Sequence, residues 1–188
     1  MSKAILLSVR PFWAYLIWKL LKTLELRKIV PKFINMFVYI YVTITPQDLK
    51  KIPEEHREMV KSWMGKVPMR FWFDEYSETS FDYIIHLDDV NGVDEDDYDG
   101  CDIYGRPNPL NDNLMNDYLS QFMISYNNFI NYVGNKKAYA WHIKNLEIFD
   151  EPMELSDFAK HCKNKNQVNK YWVHKAPQSY QYVYVKEK

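Results

Sequence analysis

The sequence predicts an α+β fold around a partly closed sheet, with flanking helices and one acidic loop insertion. Three observations predict it. Strand patterns recur along the chain, at 4–9, 23–27, 36–44, 67–74, 138–143 and 180–185. Helical patterns are fewer and mostly early, so the elements do not alternate as they would in a doubly wound parallel sheet. A polar, acid-rich stretch at about 88–113 interrupts the pattern without an apolar face of its own. With 188 residues, 47% hydrophobic and 16% aromatic, the chain has material for one domain spanning 1–188 that carries this insertion.

The elements follow in order. A-I-L-L-S-V (4–9) is a continuous apolar run that suits a buried strand. Pro11 then fits the first turn of a helix over 12–21, whose Phe12, Leu16, Trp13 and Ile17 leave little polar face. T-L-E-L-R (23–27) alternates, with Leu24 and Leu26 inward and Thr23, Glu25 and Arg27 on a wet face. M-F-V-Y-I-Y-V-T-I (36–44) is the strongest strand signal. Pro46 and Pro53 bracket a connector, and 54–64 reads as a helix. In V-P-M-R-F-W-F-D (67–74) the proline marks an edge strand or a bulge. F-D-Y-I-I-H-L (81–87) continues the sheet, and Gly134 ends helical pieces over 114–133. A-Y-A-W-H-I (138–143), L-E-I-F (146–149) and Y-Q-Y-V-Y-V (180–185) are strands, while 155–159 reads as one helical turn. No internal repeat is present.

Charge is segregated although the net charge is only −1. Residues 1–32 carry +6, residues 158–186 carry +6, and the span between them carries −13. If the two ends meet, as chain ends often do, they form a basic surface able to attract phosphates; solvated lysine tails are the plain alternative. Cys101 and Cys162 lie far apart with no metal-ligand spacing. With no cleaved leader in view, they point to free thiols in a reducing, cytoplasmic setting. The apolar run at 4–24 is broken by Arg10, Pro11, Lys19 and Lys22, short of the ~20 residues that span a bilayer, so no membrane partner is expected.

Motifs exclude several chemistries. The chain has no G-x-S-x-G, P-loop, dinucleotide fingerprint or H-E-x-x-H. The acidic insertion places Glu95, Asp97, Asp99 and Gly100 at positions 1, 3, 5 and 6 of a calcium loop, but Arg106 stands where a bidentate glutamate is required. No metal or other cofactor is expected. His56, His86, His142, His161 and His174 lack zinc spacing. His142 stands out, because it follows Trp141 in a strand among basic and aromatic neighbours.

The remaining cluster is Lys22, Glu25 and Arg27, joined by Ser8 and Arg10 at the end of the first strand. A guanidinium presents a fixed fork of donors to a phosphate or a base edge. Glu25 between two cations is expected to be ionised and able to accept from an exocyclic amine. The same spacing serves equally well for a structural ion-pair network on one sheet face.

I-L-L-S-V-R-P, a helix, and then L-K-T-L-E-L-R-K together resemble the opening of ASCH domains, whose hallmark is G-x-K-x-x-E-x-R. Lys22, Glu25 and Arg27 fill the charged positions, and Leu20 replaces the glycine. A-Y-A-W-H-I-K-N-L-E-I-F-D-E-P-M-E-L-S-D-F is similar to the penultimate strand and turn of small bacterial and phage members, and A-P-Q-S-Y-Q-Y-V to their final strand. The resemblance implies a PUA-like, partly closed β-barrel with a cleft for RNA or a single nucleobase. It places Lys22, Glu25 and Arg27 in that cleft with Ser8 and Arg10, closed by Trp141, His142, Gln178, Ser179 and Tyr180. Some members are amidohydrolases that deacetylate N4-acetylcytidine, with a lysine at the position of Lys22 and a threonine at that of Glu25. If this chain were an enzyme, Lys22 and Glu25 would be the catalytic pair, but the threonine is missing. The resemblance also implies that Leu20 changes the turn before the motif strand. A third reading is a phage accessory protein that meets a protein partner through its acidic insertion.

Overall fold

The computed structural model describes residues 2–79, 112–134, 137–160 and 172–185. The chain forms two compact units: Met1–Leu21 with Phe33–Asp74 and Ile143–Lys188, and Lys22–Lys32 with Glu75–His142.

The first unit is built on a six-stranded sheet. Its strands are β1 (Ser2–Val9), β3 (Met36–Val42), β4 (Val67–Phe73), β7 (Lys144–Met153), β8 (Phe158–Lys160) and β9 (Tyr180–Val185), in the order β7-β4-β3-β1-β9-β8. Only β1 and β3 run parallel; the other pairings are antiparallel. The continuous apolar runs of β1 and β3 follow from burial on both faces. Ile5, Val38 and Phe71 lie in register on one face, all fully buried, while Ala4, Leu6, Tyr39, Val183 and Phe158 build a core on the other. Pro68 sits where the β4–β7 register shifts between Val67 and Met69, so of the two roles expected for it the bulge is the one realised, in an interior strand. Pro152 lies in β7, an edge strand that has no second ladder to lose.

Helix α1 (Pro11–Trp18) starts on Pro11, as expected, and stops three residues earlier than its apolar pattern. Leu20 ends it, holding φ 58° with its side chain exposed. That is the left-handed region that favours glycine. The turn therefore holds Leu20 in a conformation that would suit the glycine of the hallmark. Helix α2 (Glu54–Trp63) matches its predicted span, and the connector before it is a short 3-10 helix, Pro46–Lys51.

The second unit holds a three-stranded antiparallel sheet, β2 (Leu24–Arg27), β6 (Ala138–His142) and β5 (Tyr76–Thr79), in the order β2-β6-β5. Leu24, Leu26, Ala138 and Ala140 pack on Phe122 of α3 (Asp112–Phe122) and on Phe129 and Val133 of α4 (Tyr126–Val133). Ser125 caps α4 by accepting from the Asn128 N–H, and Gly134 ends it at φ 56°. Among the described residues neither sheet closes on itself, and the layout is mixed α+β. The predicted strand 81–87, most of the acidic insertion, the calcium-like loop, His86, His161 and both cysteines lie outside the described residues.

Candidate ligand-binding site

The turn at Leu20 delivers Lys22 to the start of β2, where the Thr23 N–H donates to the Gln121 carbonyl at 3.2 Å. From there strand alternation fixes the faces. Leu24 and Leu26 enter the core and Thr23 is exposed, as predicted, but Glu25, on the face of Thr23, is buried. Lys22 is 5% exposed and Glu25 is 6% exposed.

Burial is accompanied by pairing. Arg27 donates to the Glu25 carboxylate at 2.8 Å, and the Lys22 ammonium stands 3.5 Å from its other oxygen. Lys22 also donates to the Phe122 carbonyl at 3.1 Å, at the end of α3. Burial pulls the Lys22 amine below its usual range, with Glu25 opposing that shift and Arg27 adding to it. Burial pushes the Tyr132 hydroxyl up, with opposing influences from Arg27 and Glu25 that bring α4 into the electrostatics of the trio.

The register of β6 sets the neighbours of the trio. Glu25 pairs with Trp141 and Arg27 with Tyr139, while Tyr76 pairs with Trp141 from the other side. One face of the small sheet thus holds Glu25, Arg27, Trp141, Tyr139 and Tyr76, with the Tyr76 and Tyr139 rings 5.8 Å apart. His142 is one residue on and falls on the other face, beside Leu24, where its Nε2 is 3.0 Å from the Ser77 hydroxyl. Trp141 and His142, expected together, are therefore separated by strand alternation. Tyr139 and Tyr76 were not anticipated, although the i, i+2 spacing of Tyr139 and Trp141 was a signal that could have found the first.

The other predicted residues belong to the six-stranded unit. Ser8 is buried, donating from Oγ to the Pro177 carbonyl at 2.6 Å and from its N–H to the Ser179 carbonyl at 2.9 Å. Arg10 forms a two-point bond to Asp48, at 2.8 and 2.7 Å. Gln178 and Ser179 are exposed, and Tyr180 is half-buried with its hydroxyl pushed up by burial and then by Tyr182. Among the described residues no group of three His, Cys, Asp or Glu is placed to hold a metal, and no helix is long and apolar enough to cross a membrane.

Two open sheets with short flanking helices make a mixed α+β protein. Its fold is similar to that of a solved ASCH protein. The crystal structure of ASCH from Zymomonas mobilis matches 98% of this chain and 88% of its own, at TM-score 0.53 and 15% identity. Two variants of that protein also match. A tyrosine-to-phenylalanine variant covers 100% of this chain and 92% of its own at TM-score 0.45 and 16% identity. A serine-to-alanine variant covers 98% and 89% at TM-score 0.45 and 15% identity. No family model matches the chain, and no curated protein does.

Proposed function

We propose that the chain is a single ASCH-type domain that binds RNA or a nucleobase, using Lys22, Glu25 and Arg27 with Trp141 beside them. One observation carries this reading. Three ionisable side chains are gathered at 5%, 8% and 14% side-chain exposure on a sheet that an apolar trio of similar volume would serve at least as well. Buried charge kept together in this way clusters at functional sites. A forked guanidinium and a carboxylate match the donors and acceptors of a base edge, and the exposed Tyr76 ring on the same sheet face suits its flat faces. The free thiols predicted from the sequence fit a cytoplasmic setting for such a role.

The test is a titration of wild type and Arg27→Ala with nucleosides and short RNAs. Loss of a charge-assisted bond, about 1.5–3 kcal/mol, predicts roughly ten- to a hundredfold weaker binding. Unchanged affinity in a folded variant would sink the proposal. Amide hydrolysis on an acylated nucleoside is the second reading, favoured by the lowered Lys22 amine. N4-acetylcytidine in the same titration separates the two: binding without acetate release supports the first, and release supports the second.

A further inference from the structure

The six-stranded sheet carries an aromatic strip that has no part in the trio. Along β9, Tyr180, Tyr182 and Tyr184 alternate with Gln181, Val183 and Val185, and Val183 and Val185 go to the core. The tyrosines therefore share the other face. The Tyr180 and Tyr182 rings stand 6.3 Å apart, and Phe33 adds a third ring 6.0 Å from Tyr182. The backbone N–H of Phe33 donates to the Tyr182 hydroxyl at 3.0 Å, which holds this ring pair in place. Phe33 is 48% exposed and Tyr180 and Tyr182 are half-exposed, so water reaches the strip.

A cation completes it. The Lys3 ammonium lies 4.1 Å from the Phe33 centroid and 4.7 Å from that of Tyr182. Strand register puts the acids elsewhere. Ser2, Tyr39, Arg70, Glu147 and Val185 belong to the opposite face, around a cavity of about 710 Å³ that Asp150 and Glu151 also line. The acids of this cavity, with Arg70 among them, thus lie on the face away from the strip. The first and last strands, β1 and β9, lie side by side, with Lys3 opposite Tyr184.

We infer that the Phe33–Tyr182–Tyr180 strip, with Lys3, is a stacking platform for single-stranded nucleic acid. Rings accept any base face, and a lysine beside them takes a phosphate. A duplex, whose bases are stacked internally, offers the rings nothing. The inference deepens the reading of the trio by making the partner a strand rather than a free base, and it rests on that reading for its biological sense.

The full chain is titrated with free nucleosides, with a labelled oligouridylate within the ~4–16 nucleotides that such surfaces cover, and with a duplex of equal length. Tyr182→Leu and Phe33→Leu are expected to weaken the oligouridylate about tenfold or more while sparing nucleoside affinity. Lys3→Ala is expected to lower the slope of log affinity against log salt by about 0.7. Oligouridylate binding that ignores all three variants overturns the platform. So does a wild type that binds nucleosides but no oligouridylate, which leaves the trio standing. Oligouridylate binding that falls with Tyr182→Leu but not with Arg27→Ala upholds the platform and removes the trio. Should Tyr182→Leu fail to fold, the exposed Phe33 and the salt slope of Lys3→Ala decide alone.

Discussion

Glu25→Gln removes one negative charge from between two buried cations while keeping the shape of the side chain. In the wild type the carboxylate accepts from Arg27 at 2.8 Å and faces Lys22 at 3.5 Å, with 8% of the side chain exposed. Breaking a buried ion pair from one side costs about 3–5 kcal/mol, because the remaining charge is left without compensation. The glutamine oxygen can still accept from Arg27, and Lys22 keeps its bond to the Phe122 carbonyl, so the lower end applies. About 3 kcal/mol in a chain of this size corresponds to a fall of roughly 6–12 °C in Tm. Urea and thermal unfolding followed by both circular dichroism and tryptophan fluorescence would measure it, since coincident transitions license a single free energy. A companion variant, Lys22→Met/Glu25→Leu/Arg27→Met, removes all three charges and is expected to be neutral or more stable while losing nucleoside binding. A Glu25→Gln change below about 1 kcal/mol would refute the reasoning, because it would mean that the trio is not held as buried charge.

Leu20→Gly should stabilise the chain. Left-handed backbone costs a non-glycine residue about 1–2 kcal/mol, glycine forfeits about 0.5–1 through unfolded-state freedom, and the exposed leucine side chain has little burial to lose. A net gain of about 0.5–1 kcal/mol, read as a rise in Tm, is expected, and a fall would show that this leucine has a contact of its own to lose. The second prediction concerns pH. The Lys22 amine is lowered in the folded state, so its stability penalty is full below its folded pKa and fades as pH climbs toward the unfolded value of 10.5. Wild type should therefore gain stability relative to Lys22→Met as pH rises toward 10.5, with the tyrosines common to both cancelling in the difference. A pH-independent difference would contradict the burial of a charged lysine.

Much of the fold was legible because the local signals agreed with one another. Pro11 and the apolar run after it set α1, Gly134 closed α4, and the β-branched and aromatic run at 36–44 became β3. The end of α1 was not legible. Its apolar pattern continues through Leu20 and Leu21, yet the left-handed backbone at Leu20 stops it, and leucine gives no warning of a conformation normally left to glycine. The segment 155–159 shows a second limit. It was expected to be one helical turn, but only Leu155–Asp157 is a 3-10 turn, and Phe158–Lys160 pairs with β9. A tertiary partner overrode the local preference.

The site follows the same logic at closer range. Alternation along T-L-E-L-R correctly separated Leu24 and Leu26 from Glu25 and Arg27, since the period of a strand is a local property. Whether the second face meets water is not local. It depends on what packs there, and the Phe122 carbonyl that receives Lys22 comes from a helix 100 residues away in sequence. Strands with charge on one face are normally amphipathic, so the pattern pointed outward. The burial of Glu25 and Lys22 is the departure from local rule that makes the trio a candidate site, because consistent sequences break such rules mainly where function requires it. Trp141 points the same way. Its neighbour His142 carries the more familiar chemistry, but alternation gives the face beside Glu25 to the indole. The indole is itself fully buried, so it gives the trio an apolar wall and offers no open face to a ligand.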